Sequence, residues 1–277
     1  MDATKLRRAI ARTPLAPVAA FPKRLVSVAR HDAKVLRTSA RWLVTSREHH
    51  NYTYDLTKLS RQHLAWFVSV VCDVPVKQVR GYFAEIESDE ALRAHIEQTT
   101  AAAARRGLAD RRVRYARRIG WYAIVRATRP THVVETGVDK GLGSCVLASA
   151  LLRNAAEGQP GRLSALDINP EAGYLVRSGR WSEVVDLVIG DSIASIGAFD
   201  RPVDLFLHDS DHSREHEKRE FDAVEPKLAP GAMLLTDNVT TTNVLAEHAE
   251  RTDRRFLAYR ETPANHWYRG DGIGVAW

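Results

Sequence analysis

The feature that most constrains the fold is a regular alternation of short apolar runs and helical patterns after Pro130. Such an alternation is typical of a parallel β-sheet covered by helices. The seven candidate strands are His132–Thr136, Arg162–Leu166, Val184–Ile189, Val203–Leu207, Ala232–Thr236, Phe256–Tyr259 and Gly272–Val275. The last two lie too close together for a crossover helix, so they are expected to pair antiparallel. The sequence therefore predicts an α/β protein with a Rossmann-like, seven-stranded, mostly parallel sheet and an antiparallel C-terminal hairpin.

The first part of the chain has a different pattern. Residues 1–50 are rich in Arg and Ala and contain scattered prolines, which predicts a loosely packed arm or short helices. Apolar residues recur at helical spacing across residues 56–72 and again across residues 76–127, so further helices are expected there. We predict two regions: a basic arm with a helical lid or dimerisation region in residues 1–127, and the sheet domain in residues 128–277.

The composition is that of a globular protein, with 44% hydrophobic and 27% charged residues. No apolar run approaches the roughly 18 residues that a membrane span needs. The first apolar stretch is broken by Pro14, Pro17 and Pro22, so no signal peptide is expected. The two cysteines, Cys72 and Cys145, do not indicate a disulfide framework. A reducing compartment, the cytoplasm, is therefore expected.

The charges are unevenly distributed along the chain. Residues 1–130 contain 25 Lys and Arg against 11 Asp and Glu, whereas residues 131–277 contain 15 against 23. A basic half can attract nucleic acid, acidic lipid or an anionic substrate, or it can consist of Arg-rich helices whose charged faces lie in water. Because no aromatic-interleaved or zinc-finger pattern accompanies the charge, solvated helices are the favoured interpretation and a nucleic-acid partner is not expected.

A glycine-rich turn follows the first predicted strand, with the sequence E-T-G-V-D-K-G-L-G-S at residues 135–144. Gly137 and Gly141 allow unusual backbone dihedrals and a close approach to a ligand, and the helix N-terminus beyond them offers N–H groups. This pattern indicates a nucleotide-like ligand, although a purely structural turn also uses glycine. The G-x-G-x-x-G fingerprint is absent from the segment, which disfavours NAD.

Acidic and hydroxyl residues follow the next two predicted strands. Asp167, with Ile168 after it, ends the second strand, where a carboxylate can accept hydrogen bonds from ribose hydroxyls. Asp191 and Ser192 follow the third strand, where Asp191 can accept from an adenine amino group. Each of these residues can instead cap the helix that comes next. Their succession over consecutive strand ends favours a bound ligand.

Residues 130–277 resemble the class I S-adenosylmethionine-dependent methyltransferases, whose donor signature is E-x-G-x-x-x-G followed by an acidic residue after the second strand. The resemblance implies that residues 128–277 form the catalytic domain and bind S-adenosylmethionine. The implied contacts, from the methionine part through the ribose to the adenine, are Glu135, Gly137, Val138, Gly141, Asp167, Ile168, Asp191 and Ser192. The family usually has a serine where this chain has Gly143, so Ser144, one residue further on, becomes the candidate contact to the methionine carboxylate.

Polar residues also follow the fourth and fifth predicted strands. Asp209 follows the fourth strand, and Asp237 and Asn238 follow the fifth. Carboxylate and amide oxygens are the ligands that Mg²⁺ prefers, so these strand ends predict a magnesium site. The nearby histidines also suggest zinc, but the H-x-H-x-D-H pattern of metallo-β-lactamase-like hydrolases is not met. A solvated, helix-capping turn is the remaining alternative.

The same residues resemble those of the metal-dependent O-methyltransferases, of which catechol O-methyltransferase is the familiar member. The segment L-L-T-D-N-V at residues 234–239 is similar to the L-L-x-D-N-V of that family. The resemblance implies that Asp209, Asp237 and Asn238 bind Mg²⁺, and we also expect Asp209 to contact the donor. The family's general base, a lysine, lies three residues after the first metal ligand, where this chain has His212. His212 is therefore the candidate catalytic base.

The D-S-D-H-S run at residues 209–213 also resembles bacterial methyltransferases that act on sugars and natural products. We therefore predict an S-adenosylmethionine-dependent, Mg²⁺-assisted O-methyltransferase that acts on a hydroxyl of a sugar or natural-product diol and forms a homo-oligomer such as a dimer. The main alternative is a metal-independent methyltransferase that acts on an amine, a nucleic acid or a protein. A non-catalytic protein that binds an adenosyl ligand is a further alternative.

Overall fold

The computed structural model describes residues 11, 13–14, 16–48, 50–104, 106–110 and 112–277. The strands within these residues are β1 (Asp55–Leu56), β2 (His132–Thr136), β3 (Arg162–Asp167), β4 (Val185–Ile189), β5 (Val203–His208), β6 (Leu228–Asp237), β7 (Phe256–Arg260), β8 (Pro263–Ala264) and β9 (Gly272–Ala276). The short strands β1 and β8 pair antiparallel with each other, and the other seven form one sheet. All seven predicted strands are present.

The strand order in the large sheet is β4-β3-β2-β5-β6-β9-β7. The first five strands in this order run parallel, whereas β9 runs antiparallel to both β6 and β7. The predicted Rossmann-like sheet with an antiparallel C-terminal pair is thus confirmed. The chain runs from β2 to β3 and β4 on one side of β2 and then crosses to β5 and β6 on the other side. This reversal creates the switch point where open α/β sheets bind their ligands.

Helices precede the large sheet in the chain and alternate with its strands. They are α1 (Ala16–Thr45), α2 (Lys58–Val71), α3 (Val76–Glu87), α4 (Glu90–Ala102), α5 (Arg118–Thr128), α6 (Leu142–Ala156), α7 (Ser192–Gly197), α8 (Arg214–Val224) and α9 (Val244–Arg251). Two of the N-terminal helices begin at side-chain caps: Thr57 accepts from the amide of Ser60, and Asp89 accepts from the amide of Leu92. The helical pattern predicted after residue 56 is confirmed.

The core lies on both faces of the sheet. On one face, α2, α3, α5 and α6 pack against it, with Trp121 and Tyr122 no more than 1% exposed. On the other face, α8 and α9 pack through residues such as Phe221 and Leu245. Each fully buried side chain of this size stabilises the fold by about 2 kcal/mol. The two packed faces hold the strand ends, and the side chains that follow them, in fixed positions.

The chain divides into two compact units, which differ from the predicted division after residue 127. One comprises residues 1–46 and 265–268, and the other residues 47–264 and 269–277. The functional boundary predicted at residue 128 stays a prediction. In the first unit, α1 is one helix of 30 residues with Pro22 inside it, so the short helices expected as one alternative were wrong, and the loosely packed arm stays a prediction. Residues 1–10, 12, 15 and 49 of the predicted arm lie outside the described residues.

No helix in the part of the chain that the structure describes is both long enough and apolar enough to span a membrane.

Candidate active site

The glycine-rich turn between β2 and α6 packs against the end of β5. Gly137 has a φ of +83° and Gly141 a φ of +93°, in the region that favours glycine. The amide of Gly137 donates to the carbonyl of Leu166 at 2.9 Å. A Cβ on Gly137 would collide with the backbone carbonyl of Asp209. This glycine is therefore required by the close approach of two backbones at the switch point.

The side chain of Asp167 holds this turn in shape. Its Oδ2 accepts hydrogen bonds from the amides of Val138 and Asp139, both at 2.9 Å, and its Oδ1 accepts from the amide of Asn169 at 2.8 Å. Hydrogen bonds to a charged carboxylate are among the stronger ones in proteins. Asp167 thus fixes the backbone of the glycine-rich turn, where the methyl donor is predicted to bind. Its contact with the ribose of that donor stays a prediction.

Glu135 and Ser144 form a buried pair beneath the turn. The Ser144 hydroxyl donates to Glu135, and Ser144 is 0% exposed and Glu135 1% exposed. A Cβ at Gly143 would collide with the Glu135 carboxylate and would lie 3.0 Å from the Trp121 ring. Packing thus explains why glycine stands where the methyltransferase resemblance leads us to expect serine. The contact of Ser144 with the methionine carboxylate stays a prediction, and its hydroxyl is already engaged by Glu135.

Glu135 and Arg118 interact electrostatically on this side of the site. Burial raises the pKa of Glu135 to about 8, and the Ser144 hydrogen bond and the Arg118 charge oppose that rise only in part. The guanidinium carbon of Arg118 lies 5.2 Å from the ring centroid of Trp121. The Arg118 Nε is buried and has no hydrogen-bond partner among the described residues. The pair can serve a ligand that carries both an ammonium and a carboxylate group.

The residues predicted for the adenine end lie at the ends of β3 and β4. Asp191 caps α7 by accepting from the amide of Ala194 at 2.8 Å, so its capping alternative is realised. Ile168 is 76% exposed and Ile189 is 40% exposed, which leaves apolar side chains at this edge of the sheet. An exposed apolar edge beside a polar strand end suits a flat heteroaromatic ring.

The structure brings together the four residues predicted for the acceptor side. One ligand atom each from Asp209, His212 and Asp237 lies within 4.8 Å of the other two. Their side chains are 16%, 22% and 1% exposed, respectively, so Asp237 lies deepest. Asn238 follows Asp237 in the left-handed region with a φ of +52°. The ends of β5 and β6 therefore form one cluster of oxygen and nitrogen donors.

Arg117 is the residue of this site that the sequence did not indicate. Its guanidinium forms a bidentate ion pair with the Asp237 carboxylate and donates to Asn238 Oδ1 at 3.0 Å. It also donates to the Tyr54 hydroxyl at 2.8 Å and to Glu261 at 2.7 Å. The Arg117 side chain is only 7% exposed. A buried cation therefore neutralises part of the acidic cluster.

The cluster has the chemistry of a divalent cation site, but Arg117 already donates hydrogen bonds to three of its oxygen atoms. Two carboxylates with an imidazole or an amide suit a small cation such as Mg²⁺. Both oxygens of Asp237 accept from Arg117, yet a carboxylate oxygen has a second lone pair, so Asp237 can serve both cations. Asn238 Oδ1 also accepts from Arg117, and because an amide oxygen has a second lone pair too, Asn238 can serve both cations in the same way.

His212 lies between Asn238 and Asp209. Its Nε2 lies 2.7 Å from Asn238 Nδ2 and 3.7 Å from Asp209 Oδ1. Burial lowers the pKa of His212, but the hydrogen bond and charge of Asp209, with the charge of Asp237, outweigh it and raise the pKa above its usual value. Burial also raises the pKa of Asp209, whereas Arg117 holds the pKa of Asp237 below its usual value despite burial.

A buried carboxylate on α8 joins the strand ends beneath this cluster. Glu220 is 0% exposed and accepts hydrogen bonds from side chains on β2, α7, α8 and the end of β5. The partners are Thr136 at 2.6 Å, Ser192 at 2.5 Å, His208 at 2.7 Å, Ser210 at 2.9 Å and His216 at 2.9 Å. Glu220 fixes donor-side and acceptor-side elements relative to each other. Ser192, predicted for adenine binding, belongs to this network.

Residues 134–239 match a family described as a methyltransferase domain. The match begins in β2 and ends just after Asn238, so it includes the glycine-rich turn and the whole acceptor cluster. This part of the chain is therefore a methyltransferase domain, and the resemblance to the class I S-adenosylmethionine-dependent methyltransferases is confirmed. No match was found among curated proteins.

Solved O-methyltransferases share the fold. The O-methyltransferase TomG from Streptomyces achromogenes, solved with S-adenosylmethionine, is 18% identical with a TM-score of 0.53, and the alignment covers 68% of this chain and 89% of that chain. An O-methyltransferase from Bacillus cereus, solved with S-adenosylhomocysteine, is 17% identical with a TM-score of 0.52, and the coverage is 68% and 91%. The matched domain and this fold bear out the predicted enzyme class, an S-adenosylmethionine-dependent methyltransferase with the O-methyltransferase fold.

Proposed function

We propose that this protein transfers the methyl group of S-adenosylmethionine to a hydroxyl of a sugar or natural-product diol, with assistance from Mg²⁺. The observation that carries the proposal is the meeting of Asp209, His212 and Asp237 beside Gly137 at the switch point. Methyl transfer requires the methyl donor and the acceptor to be held in line. The residues proposed for the donor and those proposed for the acceptor lie on one edge of the sheet, which supports such an arrangement. TomG is described as involved in tomaymycin synthesis, which supports a natural-product acceptor.

The donor is proposed to lie along the ends of β2, β3 and β4. Glu135 receives the ammonium group of the methionine part and Arg118 its carboxylate, because the charge of Arg118 acts on the Glu135 carboxyl and the buried Arg118 Nε has a hydrogen bond to offer. The backbone of Val138 is proposed to border the ligand. The ribose lies against Asp167. The adenine lies on the apolar edge at Ile168, close to Asp191 and Ser192.

The acceptor hydroxyl is proposed to lie at His212. As the hydroxyl oxygen attacks the methyl carbon, its proton moves to the His212 imidazole, the C–O bond forms and the C–S bond breaks, so the sulfonium becomes the neutral thioether of S-adenosylhomocysteine. The charge of Asp209, 3.7 Å from Nε2, stabilises the protonated ring. Glu220 keeps the β5 end, and with it Asp209, in position.

The metal is proposed to be held by Asp209, Asp237 and Asn238, and one ring nitrogen of His212 lies within 4.8 Å of a carboxylate oxygen of each aspartate. A bound Mg²⁺ would lower the pKa of the acceptor hydroxyl and orient two neighbouring hydroxyls. The two free cysteines, Cys72 and Cys145, support the cytoplasm as the place of action.

The second candidate is a metal-independent methyltransferase, and Arg117 is the observation that favours it. Its guanidinium already pairs with Asp237 and Asn238, two of the three predicted metal ligands. A fixed cation there can stabilise negative charge on an attacking oxygen without a metal. An amine, nucleic acid or protein acceptor belongs to this alternative.

The test combines donor binding with turnover. S-Adenosylmethionine and S-adenosylhomocysteine are titrated by calorimetry, and methylation of a panel of sugar and natural-product diols is followed by mass spectrometry, with EDTA and then with restored Mg²⁺. We expect donor binding, turnover that falls at least tenfold in EDTA, and recovery on addition of Mg²⁺. His212→Ala should lower turnover about 100-fold, whereas His63→Ala, an exposed histidine on α2, should leave it unchanged.

Each other outcome rejects a stated part of the proposal. Absence of donor binding would reject the methyltransferase assignment itself. Donor binding without methylation of any acceptor would favour a non-catalytic adenosyl-ligand-binding protein. Turnover that is indifferent to EDTA would favour the metal-independent candidate, and full activity of His212→Ala would reject the histidine base.

A further inference from the structure

Helix α1 has an apolar side and a basic side. At about 100° per residue, six of its large apolar residues fall within an arc of about 80°, and five of its six Lys and Arg residues fall within an arc of about 60° on the opposite side. The large apolar, Lys and Arg residues outside these two arcs are Arg24, Val26, Val35, Trp42 and Val44. The apolar face consists of Val18, Phe21, Leu25, Val28, Leu36 and Leu43, and the basic face consists of Lys23, Arg30, Lys34, Arg37 and Arg41.

The apolar face of α1 is open to solvent. Val18 is 69% exposed, Leu36 is 68% exposed and Leu43 is 72% exposed, and α1 has no buried residue. A helix of 30 residues is about 45 Å long, so this strip is far larger than a single exposed side chain. An apolar strip of this extent, bordered by charge, indicates an interaction surface.

The C-terminal end of α1 is anchored within its own compact unit. The Trp42 ring lies 5.9 Å from the His266 ring and 5.4 Å from the Trp267 ring, centroid to centroid. Trp42 lies about a quarter turn away from the centre of the apolar face. The aromatic contacts therefore hold the helix without covering that face.

The charges of α1 identify the partner as anionic. The helix carries six Lys and Arg residues, and its single acidic residue is Asp32. A partner that fits must present negative charge and an apolar interior side by side, in one plane and over about 45 Å. The surface of an anionic phospholipid bilayer has this arrangement, with phosphate groups above acyl chains.

The two other macromolecular partners fit less well. A second copy of the helix, packed as a coiled coil, would need two adjacent rows of apolar residues that each repeat every seven residues. One row is apolar throughout, namely Phe21, Val28, Val35 and Trp42. The adjacent row begins with Val18 and Leu25 but continues with Asp32 and Ser39, so the seam is incomplete. Nucleic acid would pair with the basic face alone and would leave the apolar face in water. A wide apolar face opposite a basic one is typical of helices that lie on membranes.

We propose that α1 binds the surface of anionic phospholipid membranes and brings the methyltransferase domain to it. The helix lies in the plane of the surface, with the Leu25 and Leu36 face inserted at the acyl boundary. The Lys34 and Arg37 face lies at the phosphate groups, and its long side chains reach outward. This inference is independent of the metal and of the acceptor.

The test is co-sedimentation of the full chain with vesicles of phosphatidylcholine alone and of phosphatidylcholine mixed with phosphatidylglycerol. We expect binding to the anionic vesicles, loss of that binding in high salt, and little binding to the neutral ones. Leu25→Glu with Leu36→Glu should lower the partition coefficient at least tenfold. Lys34→Gln should lower it about fivefold, because each basic residue near such a surface contributes about that factor.

The control variants change exposed residues of α2. Leu59, which is 61% exposed, is changed to Glu, and Lys58 to Gln, and both variants should bind like the wild type. Thermal unfolding verifies that every variant is folded. Failure of the wild type to bind anionic vesicles, or equal binding to neutral ones, would overturn the proposal. It would also be overturned if Leu25→Glu with Leu36→Glu abolished a dimer or RNA binding but left vesicle binding intact.

Discussion

Arg117 and Asp237 form a buried bidentate ion pair that links the helix before the sheet to the end of β6. The pair joins residues 120 positions apart in the chain. Asp237 is 1% exposed and would carry an uncompensated buried charge without its partner. The pair thus positions the deepest acidic group of the acceptor side.

Removal of Arg117 should destabilise the fold strongly. We expect Arg117→Met to lower the free energy of unfolding by about 3 to 5 kcal/mol, since it leaves Asp237 and Glu261 buried without their cation. Arg61 offers a matched control because it pairs with Glu87 in a bidentate ion pair whose side chains are 33% and 41% exposed. Arg61→Met should lower it by about 1 kcal/mol or less. Urea denaturation measures both, and equal losses would contradict the role assigned to Arg117.

The serine that the methyltransferase family usually has should not be tolerated at position 143 of this chain. Gly143→Ser places a side chain against Glu135 and the Trp121 ring, so we expect a loss of about 1 to 3 kcal/mol in unfolding free energy. Donor affinity should fall as well, because the turn above Glu135 must shift. Gly81 on α3 is the control, because a Cβ there would have no heavy atom within 4 Å, and Gly81→Ser should change stability by about 0.5 kcal/mol or less. An unchanged Gly143→Ser variant would show that the turn adapts freely.

The sheet and the position of the site were predictable because their signals are local. The strands β2 to β6 read as apolar runs, and residues such as Asp167, Asp209 and Asp237 stand at or directly after their ends. Parallel strands place their carboxyl ends on one edge, so residues distant in sequence were expected to meet there. The meeting of Asp209, His212 and Asp237 followed from that geometry.

The charged partners of these residues were not predictable. Arg117 stands in a basic stretch of the chain with several similar arginines, and only the packing of its helix selects it. Glu220 stands on a charged face of α8, and its five partners come from four different elements. The single long helix α1 was missed because its prolines suggested interruptions. Pro17 is the second residue of the helix, where a backbone N–H would have no partner within the helix, so proline is tolerated there.

The stability of the wild type should fall as the pH rises towards 8 because of Glu135. Its pKa is raised to about 8 in the fold, so the folded protein holds this proton over a range in which the unfolded chain has lost it. The contribution is fully present below the unfolded pKa of about 4.3 and is lost as the pH rises through about 8. Glu135→Gln should remove this dependence and stabilise the protein at pH 8 by about 2 kcal/mol. Thermal unfolding across this pH range measures it, and parallel profiles for the two proteins would contradict it.

Glu220 should show the opposite pH dependence. Burial alone would raise its pKa, but the hydrogen bonds from His208 and His216, together with the charge of His208, hold the pKa well below its usual value. Its contribution is present above the unfolded pKa of about 4.3 and is lost in stronger acid. Glu220→Gln should lower the unfolding free energy at pH 7 by about 2 kcal/mol. It should also make the unfolding free energy of the variant depend less on pH in the acid range. Glu90→Gln, at the exposed start of α4, should leave both unchanged.

Arg118 should determine donor affinity through the methionine carboxylate. Its guanidinium lies near Glu135 and keeps a buried Nε without a partner among the described residues, so it has a hydrogen bond to offer. We expect Arg118→Gln to weaken binding of S-adenosylmethionine and S-adenosylhomocysteine about 10- to 100-fold, the value of one charge-assisted hydrogen bond. Decarboxylated S-adenosylmethionine, which lacks the group concerned, should bind the variant and the wild type equally. Arg129→Gln, beyond the other end of α5, should bind all three ligands like the wild type. Calorimetric titration measures each affinity. An equal loss of affinity for the decarboxylated ligand would show that Arg118 maintains the conformation of the turn and does not bind the carboxylate.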